Sequence, residues 1–556
     1  MIDDARALRD GEALAADLCI VGAGAAGIAL ALEWRDAGLS VLVLESGGWR
    51  PEAATQDLYA GTVADARLHS PPDRYRQRAF GGSTAIWGGR CTPFDPVDFE
   101  ARAHVPHSGW PIGPDALAPY YPAANRLCEA GDMRYTAAAA FPGGGRPMSE
   151  GFSGAHFTAD TLERFSCPTN FATRYAHRLA ASRSVRVLLH ANVTGIRLDA
   201  AGRRVERVEV RTLDGRRFEA RAAAFVIAAG GLETARLLLA SRGGAHPAGV
   251  GNSHDVVGRY YMCHVAGTIG ALTLAPGARV SNQYEVADDG VYCRRRFALM
   301  AGVQRQQGLA NFVARLHHPR ITDPAHRTGV LSLLWLARPF IPWEYARRLH
   351  GGERVGVRGW LAHVRNVLLD LPSTIGFAWH LLRDRRLAER KFPSIVIRPR
   401  GGVYSLDFHA EQQPNPDSRV TLDDDARDAL DMPRLRVDWR YGRGDVETVR
   451  RSLALLAEDL ERGGVGRFEY DPGEVEAEMT RYGAYGGHHI GTARMGTDPR
   501  TSVVDADCKV HGIDNLYLAG SAVFPTSSQA NPTLTLVALA LRLADHLKRT
   551  RAKAAA

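Results

Sequence analysis

The feature that most restricts this chain is a glycine turn set between an apolar run and a helix. Asp17-Leu18-Cys19-Ile20-Val21 is short and apolar and ends at Gly22-Ala23-Gly24-Ala25-Ala26-Gly27. Such a run reads as a buried parallel strand. A helix is predicted from about Ala25 to Ala37, and Ser40-Val41-Leu42-Val43-Leu44 is a second apolar run, closed by Glu45. Strand, helix and strand begin a βαβ unit of a Rossmann-like α/β fold. Gly22 permits the tight turn, Gly24 lets backbone approach a pyrophosphate, and Gly27 lets the helix pack close to the strand. Ala26 lies in the same turn, where the helix offers free N–H groups and partial positive charge to phosphates. Glu45 follows Gly22 by 23 residues and suits the ribose hydroxyls. The loop therefore predicts binding of the ADP half of a dinucleotide. By itself it does not choose FAD over NAD, although its N-terminal position and Glu45 favour FAD.

Length and composition set wide bounds. At about 150 residues per domain, 556 residues suggest two to four folding units or fewer large ones. The net charge of +8 is a weak excess over so long a chain; it fits an anionic cofactor and does not argue for nucleic acid. The densest basic run, Arg294-Arg295-Arg296, is expected at a solvated surface turn. Seven cysteines are scattered without a CxxC pair, so no disulfide framework or zinc site is indicated and a reducing compartment is the default. No signal peptide is readable at Met1-Ile2-Asp3-Asp4, which places the protein in the cytoplasm as an expectation. Asn366 to Leu382 is apolar but interrupted by Asp370 and Pro372, too short and broken for a membrane span.

Further along, Val185 to Leu198 reads as strand. Arg204 to Arg221 reads as a hairpin turning at Asp214-Gly215. Phe225 to Ala229 is another buried strand, followed by Gly230-Gly231 and a helix to about Ser241. A helical insert is expected at about 325–400. Val446, Val449, Leu453, Leu456 and Leu460 give a helical apolar face after Asp445, a candidate N-cap. A last helix is predicted from Thr533 to Lys548. These segments suggest a discontinuous FAD-binding domain, 12–260 and 484–550, with a Gly/Pro-rich excursion at about 95–168. An α+β substrate domain, 261–483, would be inserted into it.

Three more segments carry a resemblance: Gly81-Gly82-Ser83-Thr84-Ala85-Ile86-Trp87-Gly88-Gly89-Arg90; Ala228-Ala229-Gly230-Gly231-Leu232-Glu233; and a tail of His488-His489-Ile490-Gly491-Thr492-Ala493-Arg494-Met495-Gly496, Gly520-Ser521 and Ala530-Asn531-Pro532-Thr533-Leu534. With the N-terminal loop, this chain resembles the glucose-methanol-choline (GMC) oxidoreductases, in their bacterial branch near pyranose oxidases and sugar or gluconate dehydrogenases. The order of motifs matches over nearly the whole chain, apart from the insert. The resemblance implies FAD. It implies cofactor contacts from Gly81, Gly82, Ser83, Trp87, Gly88, Val193, Ala229, Gly230, Gly520, Ser521, Ala530, Thr533 and Leu534, besides Gly22, Gly24, Ala26, Gly27 and Glu45. Members with covalent FAD carry histidine where this chain has Ile86, so non-covalent flavin is implied.

In an extended segment neighbouring side chains face opposite ways, so only one of His488 and His489 is expected to face the flavin. The family's catalytic histidine, seven residues before Met495, matches His488; its partner matches Asn531. His489 stays open as a second contact or a packing residue. The reaction so implied is oxidation of a CH–OH group, of a sugar, glycoside or cyclic polyol, by hydride transfer to flavin N5. His488 would take the hydroxyl proton and Asn531 orient the oxygen. The electron acceptor would be O₂, a quinone or a redox protein. Alternatives are oxidation of a non-carbohydrate alcohol, a hydroxynitrile-lyase-like reaction without net redox, and an electron-transfer subunit whose insert docks a cytochrome or membrane surface. The insert is also readable as a packed cap over the active site.

Overall fold

A computed structural model describes residues 1–35, 38–340, 355–399, 401–481 and 487–555. The end of the first predicted helix, the middle of the insert and the 483/484 domain boundary fall outside these residues. The predicted βαβ unit is present as strand Ala13–Val21, helix Ala25–Glu33 and strand Val41–Leu44, the two strands parallel. Val41–Leu44 is buried throughout, as a central parallel strand covered on both faces should be. An eight-stranded sheet grows around this unit. Its order is Ile2–Asp4, Val185–Leu189, Val41–Leu44, Ala13–Val21, Arg217–Ile227, Val205–Arg211 and Asn192–Leu198, and Leu516–Leu518 also pairs with Arg217–Ile227.

The Val185 to Leu198 stretch divides at His190 (φ 57°) into two strands, Val185–Leu189 and Asn192–Leu198. The predicted hairpin forms, with Gly215 at φ 96° in its turn. Helix Gly231–Ala240 follows the glycine pair, and the last helix runs Thr533–Ala555, past its predicted end.

A second eight-stranded sheet has the order Gly466–Glu469, His264–Leu274, Val403–Glu411, Phe312–His317, Tyr292–Leu299, Phe157–Phe165 and Arg90–Cys91, with Glu285–Val286 paired to Tyr292–Leu299. Two of these strands, Arg90–Cys91 and Phe157–Phe165, come from the N-terminal third. Helix Arg443–Arg462 packs its buried Val449, Leu453, Leu456 and Leu460 into this sheet's core beside Phe312 and Phe408. Asp445 is not the N-cap: Gly442 holds that place, and the Asp445 carboxylate reaches back to accept from the Gly442 N–H at 2.7 Å. Asp in the first turn serves either position, so composition alone did not separate them.

Arg294, Arg295 and Arg296 correct another expectation. They are buried in strand Tyr292–Leu299, not on a surface turn. Arg295 pairs with Glu285 at 2.6 Å, Arg294 donates to the Leu316 carbonyl at 2.7 Å, and Arg296 donates to Gln529 at 2.9 Å. Buried charge persists when paired and hydrogen-bonded, and these partners come from segments that the local run does not show.

The insert holds helices Gly329–Leu336, Val357–Leu369 and Leu371–Leu381. Asp370 and Pro372 begin the third rather than breaking a longer one. Among the described residues no helix is long and apolar enough to cross a membrane.

Candidate active site

One large cavity, about 1060 Å³, is walled by residues of both sheets and of the insert. It lies at the upper end of the range for ligand sites, about 300–1,000 Å³. The N-terminal turn contributes Gly22, Gly24, Ala26 and Glu45; the second glycine segment contributes Gly82, Ser83, Trp87 and Gly88. Val193, Ala229 and Gly230 line it from the strand ends, and Gly520, Ser521 and Thr533 from the tail. His488, His489 and Asn531 complete this wall. Ile86 lines it too and is half-exposed.

Four sequence-predicted cofactor residues stand behind the wall. A Cβ on Gly27 would lie 1.9 Å from the Gly22 carbonyl oxygen, so Gly27 seats the helix on the turn. Gly81, at φ 90°, donates its N–H to the Ala23 carbonyl at 2.9 Å and ties the two glycine segments together. Ala530 is buried with its N–H on Ser528 Oγ at 3.2 Å, and Leu534 points into the core.

The two glycine segments touch at glycines: a Cβ on Gly82 would stand 3.1 Å from the Gly24 Cα. Side chains at Gly24, Gly88, Gly230 or Gly520 would meet no protein atom within 4 Å, because these four face the cavity. Glu45 is buried, which pushes its pKa up; its two oxygens accept from the Ala23 and Gly47 N–H groups, each at 2.8 Å. The Ser46 hydroxyl also donates to Oε1 at 3.5 Å, so Oε2 keeps a lone pair; the carboxylate fixes the loop and still offers an acceptor to the cavity. Arg76 and Arg78, not singled out from sequence, bring positive charge to the same wall. Both pair with Glu233 at 3.0 Å. Helix Thr533–Ala555 points its N-terminus at the cavity through Asn531, Pro532 and Thr533.

Both adjacent histidines line the cavity, where only one was expected to face it, because the bridge at Ile490 sets each against a different partner. Met262 and Ile490 form an antiparallel bridge, so His264 stands across from His488, two residues out on either strand. Their Nδ1 atoms are 2.8 Å apart. Burial pushes His264 down to about 4, so it is neutral. Its Nε2 is 3.2 Å from the Ser527 carbonyl, which accepts only, so Nε2 carries the proton. His264 Nδ1 then accepts and His488 Nδ1–H donates, so a proton that His488 takes up goes to Nε2. His264 was invisible in the sequence because it meets His488 only through the bridge.

His489 belongs to a second chain. His69 Nδ1 donates to the Ser70 carbonyl at 2.6 Å, and burial pushes this histidine down to about 4. Its Nε2 must accept the single proton of Tyr261, at 2.7 Å. The Tyr261 oxygen then accepts from His489 Nδ1–H at 2.6 Å and from the Cys263 thiol at 3.3 Å. Ligand atoms of His69, Cys263 and His489 lie within 4.8 Å of one another, and the phenol oxygen joins all three. His489 Nε2 is left with a lone pair, buried and without a partner among the described residues; Asn531 Oδ1 is likewise buried without one. Two orphaned acceptors, a bare glycine cradle, two arginines and a helix N-terminus fit a large ligand with phosphates and hydroxyl groups, as FAD has.

Comparison with known proteins agrees. Residues 17–358 match the family described as FAD dependent oxidoreductase, and residues 414–540 match GMC oxidoreductase, C-terminal. The chain is 27 % identical to the fructose dehydrogenase large subunit of Gluconobacter japonicus, over 96 % of this chain and 98 % of that protein. It is 23 % identical to 2-methyl-1,2-propanediol dehydrogenase of Mycolicibacterium austroafricanum, over 96 % of this chain and 95 % of that protein. In fold it resembles the crystal structure of pyridoxine 4-oxidase from Mesorbium loti, with a TM-score of 0.52 and 19 % identity over 96 % of this chain and 99 % of that one. The chain belongs to the FAD-dependent oxidoreductases, and within them to the GMC type.

Proposed function

We propose that this enzyme oxidises a CH–OH group of a sugar, glycoside or cyclic polyol to a carbonyl. The observation that carries the reading is the His264–His488 pair, which engages Nδ1 of His488 and directs its Nε2 chemistry to a cavity that also holds Asn531. FAD, when bound, supplies the hydride acceptor. His488 Nε2 takes the hydroxyl proton as the C–H bond breaks. The Asn531 amide orients the same oxygen and donates to it as negative charge develops. Gly22, Gly24, Ala26, Gly82, Ser83, Gly230 and Ser521 would hold the cofactor with little bulk, and Glu45 would accept from its ribose. Ile86 has no nucleophilic atom, which supports non-covalent attachment; denaturing the protein should release the yellow colour into solution, and colour that stays with the chain contradicts this.

The segments 12–260 and 484–550 serve the cofactor in this reading, and 261–483 the substrate, with strand Phe157–Phe165 joining the latter through its pairing. Leu334, Leu381 and Arg385 of the insert line the cavity, which supports a cap. We place the protein in the cytoplasm, where its seven free cysteines would stay reduced. Electrons leave to O₂, a quinone or a redox protein. The similarity to a diol dehydrogenase favours, as a second reading, a non-carbohydrate alcohol. Anaerobic mixing with sugars, glycosides and plain alcohols separates the two: carbohydrates bleach the flavin in the first reading, and only plain alcohols or diols do so in the second.

A further inference from the structure

Two helices of the insert turn His363, Asn366, Asp370 and Thr374 inward and a row of apolar residues outward. In helix Val357–Leu369 the exposed residues Val357, Trp360, Leu361, Leu368 and Leu369 are 48 to 77 % accessible. In helix Leu371–Leu381 and just after it, Leu371, Ile375, Trp379 and Leu382 are 41 to 60 % accessible. Steps of three, four, seven and eleven residues place each set along one side of its helix.

The opposite side is polar and satisfied. His363 lies 3.0 Å from Ser332 Oγ, Asn366 donates to the Pro324 carbonyl at 2.8 Å, and Asp370 accepts from the Gly329 N–H at 2.8 Å. Thr374, also buried, donates to the Asp370 carbonyl at 2.9 Å. A helix facing water has the reverse pattern. Single exposed apolar residues are ordinary, but two adjoining stripes with both tryptophans outward mark a contact surface.

The charges beside the stripes identify the occupant. From 355 to 391 the chain has seven basic and three acidic residues. Arg358, Arg365, Arg386 and Lys391 are exposed. Of the acids, Asp370 is buried and Asp384 is held by His380 at 2.6 Å and Arg383 at 2.8 Å, which leaves Glu389 exposed. We propose that this face seats the protein on an anionic lipid surface, with the apolar stripes in the acyl boundary and the basic side chains at the headgroups. Tryptophan and arginine suit that position, since each joins an apolar body to a polar end. A second copy docked by the same face would bring the arginines together and repel. With no described helix fit to cross a bilayer, the protein lies on the surface.

This seat lies one helix away from the cavity, because Leu381 lines the cavity and Leu382 belongs to the outer face. The inference stands independently of which alcohol is oxidised.

The test uses the full chain with its cofactor and extruded vesicles, one set of phosphatidylcholine alone and one with phosphatidylglycerol added. The protein should sediment with the anionic vesicles and less with the neutral ones, and high salt should weaken the difference. Trp360→Ser combined with Trp379→Ser should reduce binding about tenfold or more, with flavin absorbance and turnover with a soluble acceptor unchanged. Arg358→Glu with Arg365→Glu should abolish the preference for anionic lipid. A wild-type chain that stays in the supernatant with both vesicles overturns the proposal, as does a double tryptophan variant that sediments like the wild type. A dimer that forms through this face and ignores vesicles also overturns it and assigns the face to a second copy.

Discussion

His488 and His489 are neighbours in the chain and end in different hydrogen-bond chains. On the His488 side, one buried histidine anchored to a carbonyl accepts the Nδ1 proton and leaves Nε2 to take up a proton. On the His489 side Nδ1 is fixed through a tyrosine: Ser70, His69 and Tyr261 fix the tautomer, and Nε2 carries the lone pair. Two imidazoles thus line one cavity, each fixed through its Nδ1, with different supports. The short chain suits a base that must gain a proton and shed it. The long chain, with Tyr261 giving its only proton to His69, suits an acceptor that holds a ligand hydroxyl in place.

Four substitutions would break or sharpen this contrast. The largest effect is expected from His488→Ala, which should lower kcat by about 10²- to 10⁴-fold while flavin stays bound. Asn531→Ala should follow with a loss of about 10²-fold in kcat and little change in cofactor content. His264→Gln should cost about tenfold in kcat. Because His264 withdraws hydrogen-bond density from His488 Nδ1–H and so raises the basicity of Nε2, its removal should also shift the acidic limb of kcat/KM to lower pH. A rate loss with no shift would reduce His264 to packing. Tyr261→Phe should have the smallest effect on kcat, within about threefold, and should instead weaken flavin retention during dialysis. If Tyr261→Phe lowered kcat as much as His488→Ala, the two sides would not differ as described.

A pH experiment bears on both sides at once. His69 and His264 titrate at about 4 in the folded chain and near 6.5 when unfolded, because burial disfavours the charged form. The unfolded state therefore binds more protons below 6.5, and stability should be complete above 6.5 and fall as pH drops towards 4. At 1.36 kcal/mol per pKa unit, each histidine contributes about 3 kcal/mol over that window. Urea unfolding between pH 8 and 4.5 should show the decline, and His69→Gln should make it shallower.

What the sequence made legible was local. The strand, glycine turn, helix and acidic residue of the N-terminal unit follow one another within 45 residues, and the structure places Gly22, Gly24, Ala26 and Glu45 around the cavity. His488 and Asn531 were readable through a motif, and both reach the same wall. The rest depended on pairings between distant segments. His264 faces His488 across 224 residues, Tyr261 and His69 reach His489 from two other segments, and Arg294 to Arg296 find their partners on separate elements. The insert shows the same limit: its apolar stretches were visible, but which side faced out depended on the contacts of His363, Asn366 and Asp370.

The most direct measurement mixes wild-type and His488→Ala protein, each with FAD and without oxygen, with a panel of sugars, glycosides, diols and plain alcohols, and follows the flavin absorbance. Carbohydrates should bleach the wild-type flavin within a turnover, and the same substrates should bleach the variant slower by about 10²-fold or more. Bleaching by non-carbohydrate alcohols alone would contradict the substrate reading, and equal bleaching rates in the two proteins would contradict His488 as the base.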